Sequence, residues 1–224
     1  SSDVCSSDLM CNKPLSRVFY PGGHSISLFD MTIIKKQSSA DFPINPILQN
    51  RWSPRALDET VTIAHEDLLA ILEAGRWAPS AFNDQPWRYF VGQRGDQVFN
   101  KIFNGLSEFN QAWAKRAAVL ILGTGTKQMA DGKPHPSYQY DLGLSVSQLT
   151  FEAMHRGYIA HQMSGFDHAK ISAEFTLTNF DPIVVVAIGK QGDVEILPEQ
   201  AQAREKSLSI RKPLNEIVVQ GLPN

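Results

Sequence analysis

The sequence predicts an α+β fold, a central and mostly antiparallel sheet flanked by helices. Three observations carry that prediction. Two continuous apolar runs, Ala117–Leu122 and Ile183–Ile188, have the length of buried strands. Elsewhere apolar residues recur at helical spacing, most clearly over Ser137–Arg156 with Leu142, Val146, Leu149, Ala153 and Met154 on one stripe. Strand and helix signals also interleave too irregularly for repeated βαβ units, which argues against a doubly wound sheet. A chain of 224 residues is long enough to bury a sizeable core. Its organisation reads as one folded domain, 41–224, behind an N-terminal extension, 1–40.

The extension opens on a near repeat, SSDV and SSDL, and lacks the basic and hydrophobic regions of a secretory signal. Up to Asp30 it is rich in Ser, Gly and Pro without a sustained period. It is expected to be disordered or non-native, with Met31 as the natural start. Both cysteines, Cys5 and Cys11, fall inside it. The folded part then offers no thiol nucleophile, cysteine-based zinc site or core disulfide, and a cytoplasmic location is the default.

The elements follow in order. Asp41–Ile47 carries two prolines and reads as an extended arm. Asp58 or Thr60 is placed to cap the next helix, His65–Trp77, where Leu68, Leu69, Ile71, Leu72 and Ala74 recur at helical spacing. Trp87–Val91, aromatic and β-branched, is a strand. Asp96–Asn104 and Ser107–Ala114 are short helices, Ala117–Gly123 a buried strand and Thr124–Pro136 a polar loop. After the long Ser137–Arg156 helix, Gly157–His161 is a short strand or turn and Asp167–Phe175 a helix. Pro182–Gly189 is the cleanest strand, and Glu216–Val219 a short terminal strand behind the charged segment Glu199–Arg211.

A formal net charge of -2 argues against nucleic-acid binding, and no apolar run approaches the length of a membrane span. His155, His161 and His168 recur, but without metal-ligand spacing. Neither a Walker loop nor a G-x-S-x-G elbow is present, so no side-chain acid, base or nucleophile set stands out.

The most informative passage is Arg76–Gly92. A helix stops ahead of Pro79, a polar run from Ser80 to Gln85 supplies hydroxyl and amide groups, and Pro86 leads into a strand. Such a fixed platform of donors and acceptors suits a planar heteroaromatic ring. Upstream, Arg51, Ser53 and Arg55 offer two guanidinium forks and a hydroxyl within five residues, the donor set of a phosphate site.

Four motifs in order then carry a family resemblance. Arg51-Trp52-Ser53-Pro54-Arg55, Ala78-Pro79-Ser80 with Asn83, Gln85, Pro86 and Trp87, the stretch Gly157–Asp167, and Arg211-Lys212-Pro213-Leu214 together resemble the FMN-dependent nitroreductase family over about Ile44–Val219. The resemblance implies an intertwined homodimer with two FMN sites at its interface. It also implies an NADH- or NADPH-dependent oxidoreductase that reduces nitroaromatic, quinone or related small acceptors by a ping-pong scheme. The cofactor supplies the reactive atom, and no side chain is assigned as catalytic.

By the same resemblance Arg51, Ser53 and Arg211 hold the phosphate, with Trp52 in the same element. Arg55 stands near N1 and O2 of the ring, where a cation favours reduced flavin. Asn83 meets the pyrimidine edge, with Pro79, Ser80 and Gln85 beside it. Ser164 and Gly165 present backbone N–H groups to N5 and O4. Some members carry Glu-Gly at that last position, so Ser164 departs from that version. Two alternatives stay open at this level. One is a specialised member that oxidises or dehalogenates a dedicated substrate, or cleaves flavin. The other is a non-catalytic flavin-binding module with Phe103, Phe109 or Trp113 covering the ring.

Overall fold

The chain's apolar runs pair with one another at the centre of a sheet. In the computed structural model, which describes residues 40–222, the strands are β1 (Trp87–Gln93), β2 (Val119–Thr126), β3 (Ile159–Met163) and β4 (Phe180–Gly189). They lie in the order β1-β2-β4-β3, and every neighbouring pair is antiparallel. The expectation for the N-terminal extension lies outside the described residues, apart from Ala40.

The helices are α1 (Pro46–Asn50), α2 (His65–Arg76), α3 (Gln97–Gly105), α4 (Glu108–Ala114), α5 (Tyr138–His155), α6 (His168–Glu174), α7 (Glu199–Lys206) and α8 (Leu214–Ile217). Strand alternation sends successive side chains to opposite faces of the sheet, so two cores form. Val119 and Ile121 join Ile71, Leu142, Val146 and Leu149 beneath α2 and α5. Leu120 and Leu122 join Phe99, Ile102, Trp113, Ile171 and Ala201 beneath α3, α4, α6 and α7. The result is the α+β layering read from the sequence, with β2 and β4 buried because both faces are covered.

Local chemistry sets the boundaries. Asp96 caps α3 by accepting from Phe99 N at 2.7 Å, and Asp167 caps α6 by accepting from Lys170 N at 2.9 Å. Gly92 lets α3 close onto β1, since a Cβ there would lie 2.1 Å from the Phe99 nitrogen. Gly157, at φ 79°, turns the end of α5 into β3.

Three expectations need correction. The arm at 41–47 does not stay extended: Asn45 accepts from Ile47 N at 3.0 Å and Pro46 starts α1, where its missing N–H costs nothing. Asp58 does not cap α2. It closes its own turn by accepting from Thr60 N at 2.8 Å and Thr60 Oγ1 at 2.7 Å, and Ala64 is the residue ahead of the helix. Glu216–Val219 is not a strand, for Leu214–Ile217 forms one helical turn after Pro213. A β-prone run becomes a strand only beside a neighbour, and none flanks it among the described residues.

Candidate functional site

The segment Arg51–Leu57 runs extended and then bridges to Gln191 beyond the end of β4. Its burial alternates. Arg51, Ser53 and Arg55 are half-buried, while Trp52, Pro54 and Ala56 face the core. An R-x-S-x-R spacing on extended backbone therefore turns three polar side chains the same way. Trp52, only 7% exposed, points away from them.

A single peptide unit in this segment is held at both ends. The Pro54 carbonyl accepts from His161 Nδ1 at 2.9 Å, and the Arg55 N–H donates to both carboxylate oxygens of Glu205 at 3.1 Å. His161 comes from β3 and Glu205 from α7, 107 and 150 residues away. Burial first, then the charges of Arg55 and Arg51, push His161 down to about 4, against the bonds to the Pro54 and Ser53 backbone, which raise it. The imidazole is thus neutral at pH 7, and the neutral tautomer that carries its proton on Nδ1 serves the carbonyl. Its ring also leans on Trp113, with centroids 4.5 Å apart.

Around this strap the cations gather. Arg51 reaches Ser53 Oγ at 3.4 Å. Burial lowers its pKa below the usual arginine value, and the charge of Arg211 lowers it further. Two guanidinium groups 160 positions apart in the chain are thus close enough to disfavour each other. Arg211 also donates to Ser209 Oγ at 2.7 Å and to the Ile210 carbonyl at 3.1 Å. Arg55 lies over the Phe109 ring, 5.7 Å from its centroid, and its Nε is buried without a hydrogen-bond partner.

From the same side, α4 fixes the turn after β3. Ser107 N and Asn110 Nδ2 both donate to the Gly165 carbonyl at 2.9 Å. A Cβ on Gly165 would sit 2.7 Å from Asn110 Nδ2, so only glycine admits this contact. Ser164 and Gly165 are exposed, and the N–H groups of neither donate to another described residue.

The loop before β1 is built differently. Phe82, Asn83 and Gln85 take left-handed backbone conformations with φ of 54°, 58° and 51°. Such conformations are unfavourable for residues with a Cβ and concentrate at binding sites. The loop closes on itself: Ser80 Oγ accepts from Gln85 N at 3.0 Å, and Gln85 Nε2 donates to the Asn83 carbonyl at 2.9 Å. Asp141 of α5 anchors it by accepting from Ala81 N at 3.3 Å and Ser137 Oγ at 3.1 Å. Pro79 and Asn83 are exposed; the Asn83 backbone N–H donates to the Ser80 carbonyl at 3.0 Å, while its side-chain amide bonds no other described residue. The strand registers put this loop and Ser164–Gly165 at one end of the sheet, on its opposite edges. No hydrogen bond or ion pair among the described residues joins the loop to the arginine group.

Residues 48–190 match the model of the nitroreductase family, well over half of the chain. The chain belongs to that family. An FMN-containing oxidoreductase of known structure is 34% identical, with a TM-score of 0.77, and the alignment covers 86% of this chain and 98% of that one. A nitroreductase-family protein from Clostridium difficile is 26% identical, with a TM-score of 0.60, over 77% of this chain and 94% of its own. The major NAD(P)H-flavin oxidoreductase of Aliivibrio fischeri is 33% identical over 82 residues, 36% of this chain and 38% of that protein. The match to this nitroreductase-family chain therefore spans well under half of that relative.

Within the family frame, Trp113 is buried and Phe103 packs against the core, whereas Phe109 is exposed between Arg55 and Arg204. Sequence reasoning missed His161 and Glu205. A lone histidine in a short strand and a glutamate in a charged helix carry no local mark of their contacts.

Proposed function

We propose that this nitroreductase-family enzyme binds FMN and uses NADH or NADPH to reduce small acceptors such as nitroaromatics and quinones. The observation that carries this reading is the convergence of Arg51 and Arg211 beside Ser53. Two mutually disfavouring cations at a half-buried site call for an anion, and a terminal phosphate supplies two charges. The buried, unpartnered Nε of Arg55 fits an acceptor on the rim of the same ligand.

In this reading Arg51, Ser53 and Arg211 bind the phosphate. Arg55 presents its guanidinium to the electron-rich edge of the ring. The N–H groups of Ser164 and Gly165 and the Asn83 side-chain amide offer further hydrogen bonds from the two edges of the sheet. Ser80 and Gln85 hold the loop rather than the ligand, and Trp52 and Pro79 are scaffold. Bound FMN supplies hydride chemistry, and the two substrates occupy one face in turn, a ping-pong scheme.

The site is completed in a homodimer. Leu208, Ile210, Ile217 and Val219 follow α7 and are 65%, 84%, 60% and 95% exposed, an apolar run that a second copy covers. The α5 stripe is already spent on the sheet and α2, so the tail is the better interface. No helix among the described residues is long and apolar enough to cross a membrane, and the cytoplasm is where NAD(P)H is at hand.

Anaerobic titration of the purified yellow protein with each nicotinamide, followed by a quinone, tests the reading. Bleaching and then recovery of the flavin absorbance is expected. Protein that stays colourless with added FMN, or light scattering that finds only monomer, overturns it.

A further inference from the structure

We propose that Glu205 is a positioning residue that sets both the aim and the effective charge of Arg55 at the flavin ring. This rests on the FMN reading above. Glu205 is fully buried, on the same face of α7 as Ala201. Burying a carboxylate is costly, and an apolar side chain would close α7 onto the core at less cost. Its presence at a buried position points to what it does for its neighbour.

Both of its oxygens accept from the Arg55 N–H at 3.1 Å, and Oε1 lies 3.5 Å from Arg55 Nη1. One carboxylate thus grips the backbone and the guanidinium of the same residue. The Phe109 ring faces that guanidinium at 5.7 Å, and the same ring takes the Arg204 guanidinium of α7 at 5.4 Å. Carboxylate and ring fix the guanidinium, while Nε stays buried and without a partner. Because Arg55 N–H and Pro54 C=O share one peptide plane, the His161 bond prevents that plane from rotating away.

The electrostatic consequence has a definite sign. A negative charge 3.5 Å from Nη1 offsets part of the positive field that Arg55 projects. Reduced flavin is more negative than oxidised flavin, so the carboxylate holds back stabilisation of the reduced form. Glu205→Gln keeps the shape and an acceptor for the Arg55 N–H but removes the charge. The ratio of reduced to oxidised FMN affinity is expected to rise about tenfold, a midpoint potential about 30 mV higher.

The experiment is a spectroelectrochemical titration of the FMN-loaded protein and of Glu205→Gln, Arg55→Met and the double variant. A rise in Glu205→Gln that disappears when Arg55 is absent supports the proposal. An unchanged or lower potential with FMN still bound overturns it, as does an equal rise in the Arg55→Met background. Should Glu205→Gln not fold, Glu205→Asp draws the charge back by one methylene and is expected to shift the potential the same way by less. No shift in Glu205→Asp overturns the proposal too. Failure of the parent reading shows separately, as wild-type protein that takes up no FMN.

Discussion

The segment Arg51–Arg55 and the loop Pro79–Pro86 both carry polar side chains outward, yet opposite means hold them. The first has extended backbone and is tied down from 107 and 150 residues away by His161 and Glu205. The second bends through three left-handed residues, closes on itself with hydrogen bonds spanning five residues or fewer, and is placed by longer bonds from Ala81 N to Asp141 and from Thr126 N to the Pro86 carbonyl. A loop that closes on itself takes its shape from its own residues and only its placement from the rest of the fold. A strapped segment takes its accuracy from the whole fold, and it suffers when any remote strap fails.

Acid should separate the two most sharply. His161 sits near 4 in the folded protein and near 6.5 when unfolded, so below pH 6.5 the unfolded chain takes up the proton first. Stability present above pH 6.5 is then lost as pH falls towards 4, by on the order of 3 kcal/mol from this residue. Urea midpoints between pH 7 and 4.5 should fall less steeply in His161→Gln, and equal slopes would remove the strap from the account. Next in size, Arg51→Ala should weaken FMN about tenfold to hundredfold, the loss of about 1.5–3 kcal/mol from a charge-assisted bond. Fluorescence titration reads this directly, and unchanged affinity would move the phosphate elsewhere.

Gly165→Ala tests the turn that α4 fixes. The new Cβ must displace the buried Asn110 amide from its bond to the Gly165 carbonyl. A cost of about 1–3 kcal/mol in thermal or urea unfolding is expected. The smallest effect belongs to the self-closed loop. Ser80→Ala removes one partly buried hydrogen bond and should cost about 0.5–1.5 kcal/mol, with no change in the acid slope. A change in that slope would show that the loop leans on the distant strap after all.

The same contrast explains what could be read in advance. Residues such as Pro79, Ser80 and Pro86 announce a turn by their own chemistry, so the platform before β1 was legible. The apolar runs that became β2 and β4 were equally plain, because a strand buried on both faces has little choice of residue. Arg51, Ser53 and Arg55 were visible as a donor set. That they share one side needed the extended backbone, which the structure supplies. His161 and Glu205 stayed hidden since their function lies in contacts across the fold. The terminal turn Leu214–Ile217 was misread for a related reason, as β-prone residues without a neighbouring strand take the helical option.

The Glu205 bond has a consequence in time as well as in space. A ribosome releases Arg55 long before it reaches the residue, 150 positions later, that caps the Arg55 amide. Until then the nascent chain carries an open amide and an unaimed guanidinium. The candidate site is therefore finished only after α7 has been made, however early its most recognisable motif is.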